Sequence, residues 1–170
     1  MERAGNMYQV NIVKNYLTNV DEIIELAEKQ ADKFSDRGPD GAHSFSTQYG
    51  TSKLKSLFYF NMSDELKNAV FKTIPDDRRF VNSFTINRYD PGDYLIRHRD
   101  SSAGYWKFKL IFLRSDAAHF KYYDDNGDGH LVDEEPGALL DMPVHLEHEV
   151  TEIGPTERPK YSLVLAWGRI

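Results

Sequence analysis

The residue types best suited to chemistry stand in the segment Asn87-Arg88-Tyr89-Asp90-Pro91-Gly92-Asp93-Tyr94-Leu95-Ile96-Arg97-His98-Arg99-Asp100. In an extended chain, side chains two apart point to the same face, so His98 and Asp100 present an imidazole and a carboxylate side by side. A second imidazole beside them completes a two-histidine, one-carboxylate face. Such a face leaves three coordination positions open and suits a non-haem ferrous ion. Two histidines follow in Met142-Pro143-Val144-His145-Leu146-Glu147-His148-Glu149-Val150. Their odd spacing puts them on opposite faces of an extended chain, so at most one serves as a ligand. His148 is the preferred choice and His145 its rival. The chain contains no cysteine, which excludes thiolate ligands, thiolate nucleophiles and disulfides. Any metal must therefore be held by nitrogen and oxygen.

The elements that position these groups can be read in outline. A chain of 170 residues, 40% hydrophobic and 13% aromatic, has the size and composition of one globular domain. No apolar run is long enough to span a membrane, and Met1–Asn6 lacks a signal-peptide pattern, so a cytoplasmic location is expected. The formal net charge of −6 lowers the case for nucleic-acid binding, because phosphate-gripping proteins usually carry a basic stripe. Only Arg78-Arg79 and separated lysines are found here. Val20, Ile23, Ile24, Ala27 and Ala31 recur at helical spacing after Thr18 or Asn19 as N-cap, and Ser63 caps a second helix from Asp64 to about Ile74. After Pro75 the pattern becomes strands at 80–89, 94–97, 106–113, 119–123, 138–142, 149–153 and 161–167, separated by Gly, Pro, Asn and Asp turns. The expectation is a mainly β, α+β chain: a helical part over about 1–75 and a sandwich, jelly roll or barrel over about 76–170.

From Phe84 to its C-terminus the sequence resembles the Fe(II)/2-oxoglutarate-dependent dioxygenase superfamily, in the pattern shared by prolyl-hydroxylase-like and AlkB-like members. Asn87, Tyr89, Gly92, His98, Asp100 and His148 fit that pattern in order. The resemblance implies a double-stranded β-helix, the cupin-like jelly roll, with the N-terminal helices packed against it. It implies Fe(II) held by His98, Asp100 and His148, with 2-oxoglutarate and O2 as co-substrates, and hydrogen bonds from Tyr89 and Asn87 to 2-oxoglutarate. A basic residue must also pair with the distal carboxylate of 2-oxoglutarate. Counting from His148 points to Arg158, whereas matching Tyr161-Ser162-Leu163 points to Lys160. Lys160 is favoured, because strand alternation then places Ser162 on the same face as a second donor. Lys107 and Lys109 are remoter candidates. The implied reaction converts 2-oxoglutarate to succinate and CO2 while a small molecule, amino acid or peptide side chain is hydroxylated. An AlkB-type dealkylase acting on nucleic acid is the nearest rival, opposed by the acidic balance and by the lack of a second arginine on the last strand before Trp167. A non-catalytic jelly roll binding a ligand or calcium is the third reading.

Three further features are read more plainly. Trp106, Phe108, Leu110 and Phe112 alternate as core residues of a strand. Asp124 to Glu135 satisfies the spacing of a calcium-binding loop. However, a calcium hand needs a helix on each side, and Pro136-Gly137 follows at once, so the segment is expected to be an acidic hairpin loop. The 37–46 loop and the 49–60 stretch are expected to form a pocket wall or lid.

Overall fold

In the computed structural model the described residues are 10–37, 46–47, 50–74, 81–100, 105–143 and 145–168. In chain order they form β1 (Asn11–Val13), α1 (Val20–Glu28), β2 (Ser35–Asp36), β3 (Ser46–Thr47), β4 (Gly50–Thr51), β5 (Lys55–Phe58), α2 (Asp64–Thr73) and β6 (Val81–Tyr89). There follow β7 (Leu95–His98), β8 (Tyr105–Arg114), β9 (Phe120–Tyr123), β10 (Gly129–Leu131), β11 (Leu139–Asp141), β12 (His148–Val150) and β13 (Lys160–Gly168). Two antiparallel sheets make the body: a large one ordered β1-β11-β8-β13-β6-β5-β2 and a small one ordered β10-β9-β12-β7. The architecture is mainly β with two helices, as expected from the sequence.

Period-two alternation divides the large sheet into two faces with different work. Phe84, Ile86, Ile111, Leu113, Leu139, Leu163 and Leu165 turn to one side and are buried with Val20, Ile23, Ile24 and Ala27 of α1 and Leu66 and Val70 of α2. Tyr89, Leu110, Phe112 and Leu140 turn the other way and pack with Phe120 and Val150 of the small sheet. The helices thus cover one face, which frees the opposite face to carry a site between the sheets. At roughly 25 cal/mol per Å² of apolar surface, each of these fully buried aliphatic side chains contributes about 1.5–3 kcal/mol.

Local signals at the helix ends have mixed outcomes. Ser63 caps α2 as expected, its hydroxyl accepting the Leu66 N–H at 3.2 Å. Asn19 precedes α1 but makes no side-chain cap. Its amide instead donates to the Ala69 carbonyl at 2.8 Å, and its Oδ1 accepts from Thr73 Oγ1 at 2.6 Å, so it ties α1 to α2. The first helix ends at Glu28, short of the expected Ala31, which opens a single 3-10 turn. The N-terminal part is not purely helical either. It contributes β1, β2 and β5 to the large sheet and the β3–β4 hairpin, all too short to show alternation.

Candidate metal centre

The strand register brings the chemistry together. His98 ends β7 and stands opposite His148 at the start of β12, and their ring centroids are 4.4 Å apart. Asp100 lies two residues beyond the end of β7, where its carboxylate reaches both rings: His98 Nε2 to Oδ1 is 3.1 Å and His148 Nε2 to Oδ2 is 3.6 Å. The three ligand atoms lie within 4.8 Å of one another. His145 is exposed and its carbonyl accepts from Arg99 at 3.1 Å, so the rival imidazole stays outside the cluster.

Hydrogen bonding fixes what these atoms can do. His98 Nδ1 lies 2.6 Å from the Ile96 carbonyl, and His148 Nδ1 lies 2.7 Å from the Leu146 carbonyl. A carbonyl oxygen only accepts, so each Nδ1 carries the proton and each Nε2 of a neutral ring presents a lone pair. Two such lone pairs and a carboxylate face one another, which is an arrangement that accommodates a cation. Burial pushes the His148 imidazole below the ordinary histidine range, against the opposing pull of Asp100. Burial acts to raise Asp100, but at acid pH, where the rings take up protons, a hydrogen bond from His98 and the charges of His148, His98 and Arg37 outweigh it and hold the carboxyl below its usual value. A neutral imidazole and an anionic carboxylate are the forms that ligate metals. Phe120 stacks on the His148 ring at 5.4 Å and 19°, which fixes its plane. The donor set, its protonation and its nitrogen-oxygen character fit a divalent metal of the ferrous type.

The cluster opens onto a cavity of about 300 Å³ between the sheets. Its wall carries Asn87, Tyr89, His98, Asp100, His148, Lys160 and Ser162, the residues singled out in the sequence apart from Arg158. Register explains the grouping, since Lys160 pairs with Tyr89 and Ser162 with Asn87 across β13 and β6. The structure puts Arg158 elsewhere. It is exposed in the loop before β13 and held by Asp116, with Nη2 to Oδ1 at 2.7 Å. Lys109 touches the cavity but its ammonium lies 3.5 Å from Asp141. The side chains of Lys107, Trp106 and Phe108 lie outside the described residues.

No protein-family model and no curated protein matches the sequence. Solved structures do match. A prolyl-4-hydroxylase from Pseudomonas putida superposes with a TM-score of 0.68 at 14% identity, covering 97% of this chain and 95% of that one. The fold is shared with a solved oxidoreductase of the 2OG-Fe(II) oxygenase family from Burkholderia pseudomallei, at TM-score 0.65 and 16% identity over 95% of this chain and 85% of that one. Similar agreement is found with the prolyl hydroxylase from Trichoplax adhaerens, in complex with a hypoxia inducible factor peptide fragment: TM-score 0.69, 16% identity, 96% of this chain and 84% of that one. The α-ketoglutarate-dependent epimerase SnoN, in complex with Fe3+, α-ketoglutarate and nogalamycin RO, matches at TM-score 0.66 and 12% identity, over 97% and 80% of the two chains.

Three residues at or behind the cavity wall are not evident from sequence pattern. Arg37, at the head of the expected lid loop, lines the cavity, whereas residues 38–45 lie outside the described ones. Ser56 on β5 donates to Asn87 Oδ1 at 2.7 Å and orients that amide. Glu134 meets the Lys160 ammonium directly. No sequence signal marks it, since Asp133 and Glu135 beside it are also acidic; the structure alone shows Glu134 buried next to an exposed Asp133. The first part of that segment is a hairpin, as expected. Asp124 accepts from the N–H groups of Asn126 and Asp128 at 2.9 and 3.0 Å, and strands rather than helices flank it.

Proposed function

We propose that this chain is an Fe(II)- and 2-oxoglutarate-dependent dioxygenase, built on a double-stranded β-helix, that hydroxylates a small molecule, an amino acid or a peptide side chain in the cytoplasm. The observation that carries the reading is that one cavity holds both the two-histidine, one-carboxylate cluster and, on the same wall, a buried ammonium with a hydroxyl beside it. His98, Asp100 and His148 would hold the ferrous ion, which when bound supplies the O2 chemistry that turns 2-oxoglutarate into succinate and CO2 and places one oxygen atom on the substrate.

The protein's own residues have defined tasks. Lys160 and Ser162 bind the distal carboxylate of 2-oxoglutarate, because a charged donor and a neutral one on the same strand face match its two oxygens. Burial pushes the Tyr89 phenol well above its ordinary range, so it keeps its proton and donates. The Asn87 amide, held by Ser56, donates beside it. Leu95, Leu110, Phe120, Val150 and Val164 line the remaining wall and exclude bulk water, which strengthens every polar contact inside. The similar structures hold a peptide fragment in one case and nogalamycin RO in another. Peptides and small molecules are accordingly the favoured substrate classes, and the net charge of −6 argues against nucleic acid.

The test is turnover. With Fe(II), 2-oxoglutarate and O2, the protein is expected to form succinate, faster when peptide or small-molecule pools contain the substrate. His148→Ala is expected to abolish it. Succinate formation that is absent, or equal in the variant, would contradict the proposal.

A further inference from the structure

Lys160 is not a lone lysine. Glu134, in the segment between β10 and β11, brings its carboxylate against the Lys160 ammonium, and the two side chains are only 1% and 2% exposed. The other carboxylate oxygen of Glu134 accepts the backbone N–H groups of His119 at 2.6 Å and Phe120 at 2.8 Å. Those donors stand just before and at the start of β9 in the small sheet, whereas Lys160 opens β13 in the large sheet, so the pair links the two sheets. Lys160 lines the cavity and Glu134 does not: the carboxylate stands behind the ammonium.

A cation stripped of water tends to shed its proton unless a negative group stands beside it. Burial acts to lower the Lys160 ammonium, and the adjacent Glu134 carboxylate acts to hold it up. Among the described residues, the carboxylate in ion-pair contact with Lys160 is that of Glu134. The other titratable groups on neighbouring elements are engaged differently. Tyr89 on β6 keeps its proton, His119 turns its ring to Thr151 and Glu157, and Arg114 on β8 faces Tyr161 and Glu28. The Phe112 ring, 5.2 Å from the Lys160 Nζ, adds an aromatic face and no charge.

We infer that Glu134 is a positioning residue for the co-substrate: standing behind Lys160, it keeps that ammonium charged and fixed in the cavity wall, so a dicarboxylic 2-oxo acid is gripped by a lysine–glutamate pair rather than by a lysine alone. This rests on the oxygenase reading above. Breaking the pair exposes the lysine to the full effect of burial. It then loses its charge as pH rises through a value that burial alone has lowered.

The experiment is calorimetric titration of 2-oxoglutarate into Mn(II)-loaded native protein and Glu134→Gln between pH 6 and 8.5. The native dissociation constant is expected to change less than about threefold across that range. In Glu134→Gln it is expected to match or improve on the native value at pH 6 and to weaken progressively as pH rises, approaching tenfold per pH unit once the lysine is mostly neutral. Should the variant fail to fold, NMR of 13C-lysine-labelled native protein, with Lys160 assigned through Lys160→Arg, answers the same question. The Lys160 ε-carbon is expected to show no titration below pH 9. A Lys160 that titrates near 7 in the native protein, or a Glu134→Gln variant with native affinity and a flat profile, overturns the role of Glu134 alone. A native protein that binds no 2-oxoglutarate at any pH overturns the oxygenase reading and this inference together.

Discussion

Replacing Asp100 with asparagine probes the metal centre with little change in shape. The carboxylate lies 3.1 Å from His98 Nε2 and 3.6 Å from His148 Nε2, so it is the anionic member of a cluster whose other donors are neutral lone pairs. The substituted side chain would keep one oxygen ligand, lose the negative charge, and gain an amide that can donate to a facing Nε2 without any cation. Two unit charges about 4 Å apart at intermediate screening interact by roughly 4 kcal/mol, which corresponds to about a thousandfold in affinity. Asp100→Asn is therefore expected to bind Mn(II) or Fe(II) about a thousandfold more weakly than the native protein. Calorimetric titration measures this directly, and thermal melts provide a second readout, because a ligand that binds only the folded state raises its stability with concentration. Native protein should melt higher as Mn(II) is added, and the variant should not respond over the same range. A variant that binds within tenfold of native would refute the assignment of Asp100 as a ligand.

Three other outcomes follow from the same geometry. Arg158→Ala should leave the 2-oxoglutarate dissociation constant within about twofold of native, since Arg158 is tied to Asp116 away from the cavity; a loss above tenfold would transfer the clamp to Arg158. Gly137→Ala should cost about 3 kcal/mol or more in urea denaturation, because Gly137 has φ +85° and an added Cβ would meet the Leu17 carbonyl oxygen at 2.3 Å. A cost below about 1 kcal/mol would show that this backbone yields. Asp90 accepts from Lys55 Nζ and Arg88 Nε at 2.8 Å each, and although burial acts to raise its carboxyl, these partners hold it below the usual range. Its stabilisation is present above the unfolded carboxylate pKa and is lost as pH falls through the folded one. Asp90→Asn should accordingly flatten the acid limb of stability against pH by about 1 kcal/mol, discounted for partial exposure, and an unchanged limb would contradict the pairing.

Much of the site is legible in the sequence because it obeys strand periodicity. Lys160 and Ser162, and Asn87 and Tyr89, share a face because residues two apart in a strand must, and the antiparallel register between β13 and β6 then sets them side by side. The odd spacing of His145 and His148 likewise separates ligand from rival. The unread parts depend on long-range pairing, which local pattern does not encode. The strands β1, β2 and β5 are three, two and four residues long, and they exist only because β11 offers an edge to β1, β6 to β5, and β5 in turn to β2. Asn19 has the chemistry of a cap, yet the nearby end of α2 presents a carbonyl and a hydroxyl that compete for its side chain. Glu134 reads as solvated because its neighbours are acidic, and only the buried ammonium of a strand 26 residues later explains why it turns inward.

The measurement that reaches the central claim most directly is anaerobic titration of the native protein with Fe(II) and then 2-oxoglutarate, followed by visible absorption. A ferrous ion held by two imidazoles and a carboxylate keeps positions open for a chelating 2-oxo acid, and that chelate absorbs visible light by charge transfer from metal to ligand. The expected result is a band that saturates at one iron and one 2-oxoglutarate per chain and fails to form in His148→Ala. A colourless titration, or a band that survives that substitution, would contradict a metal centre at His98, Asp100 and His148.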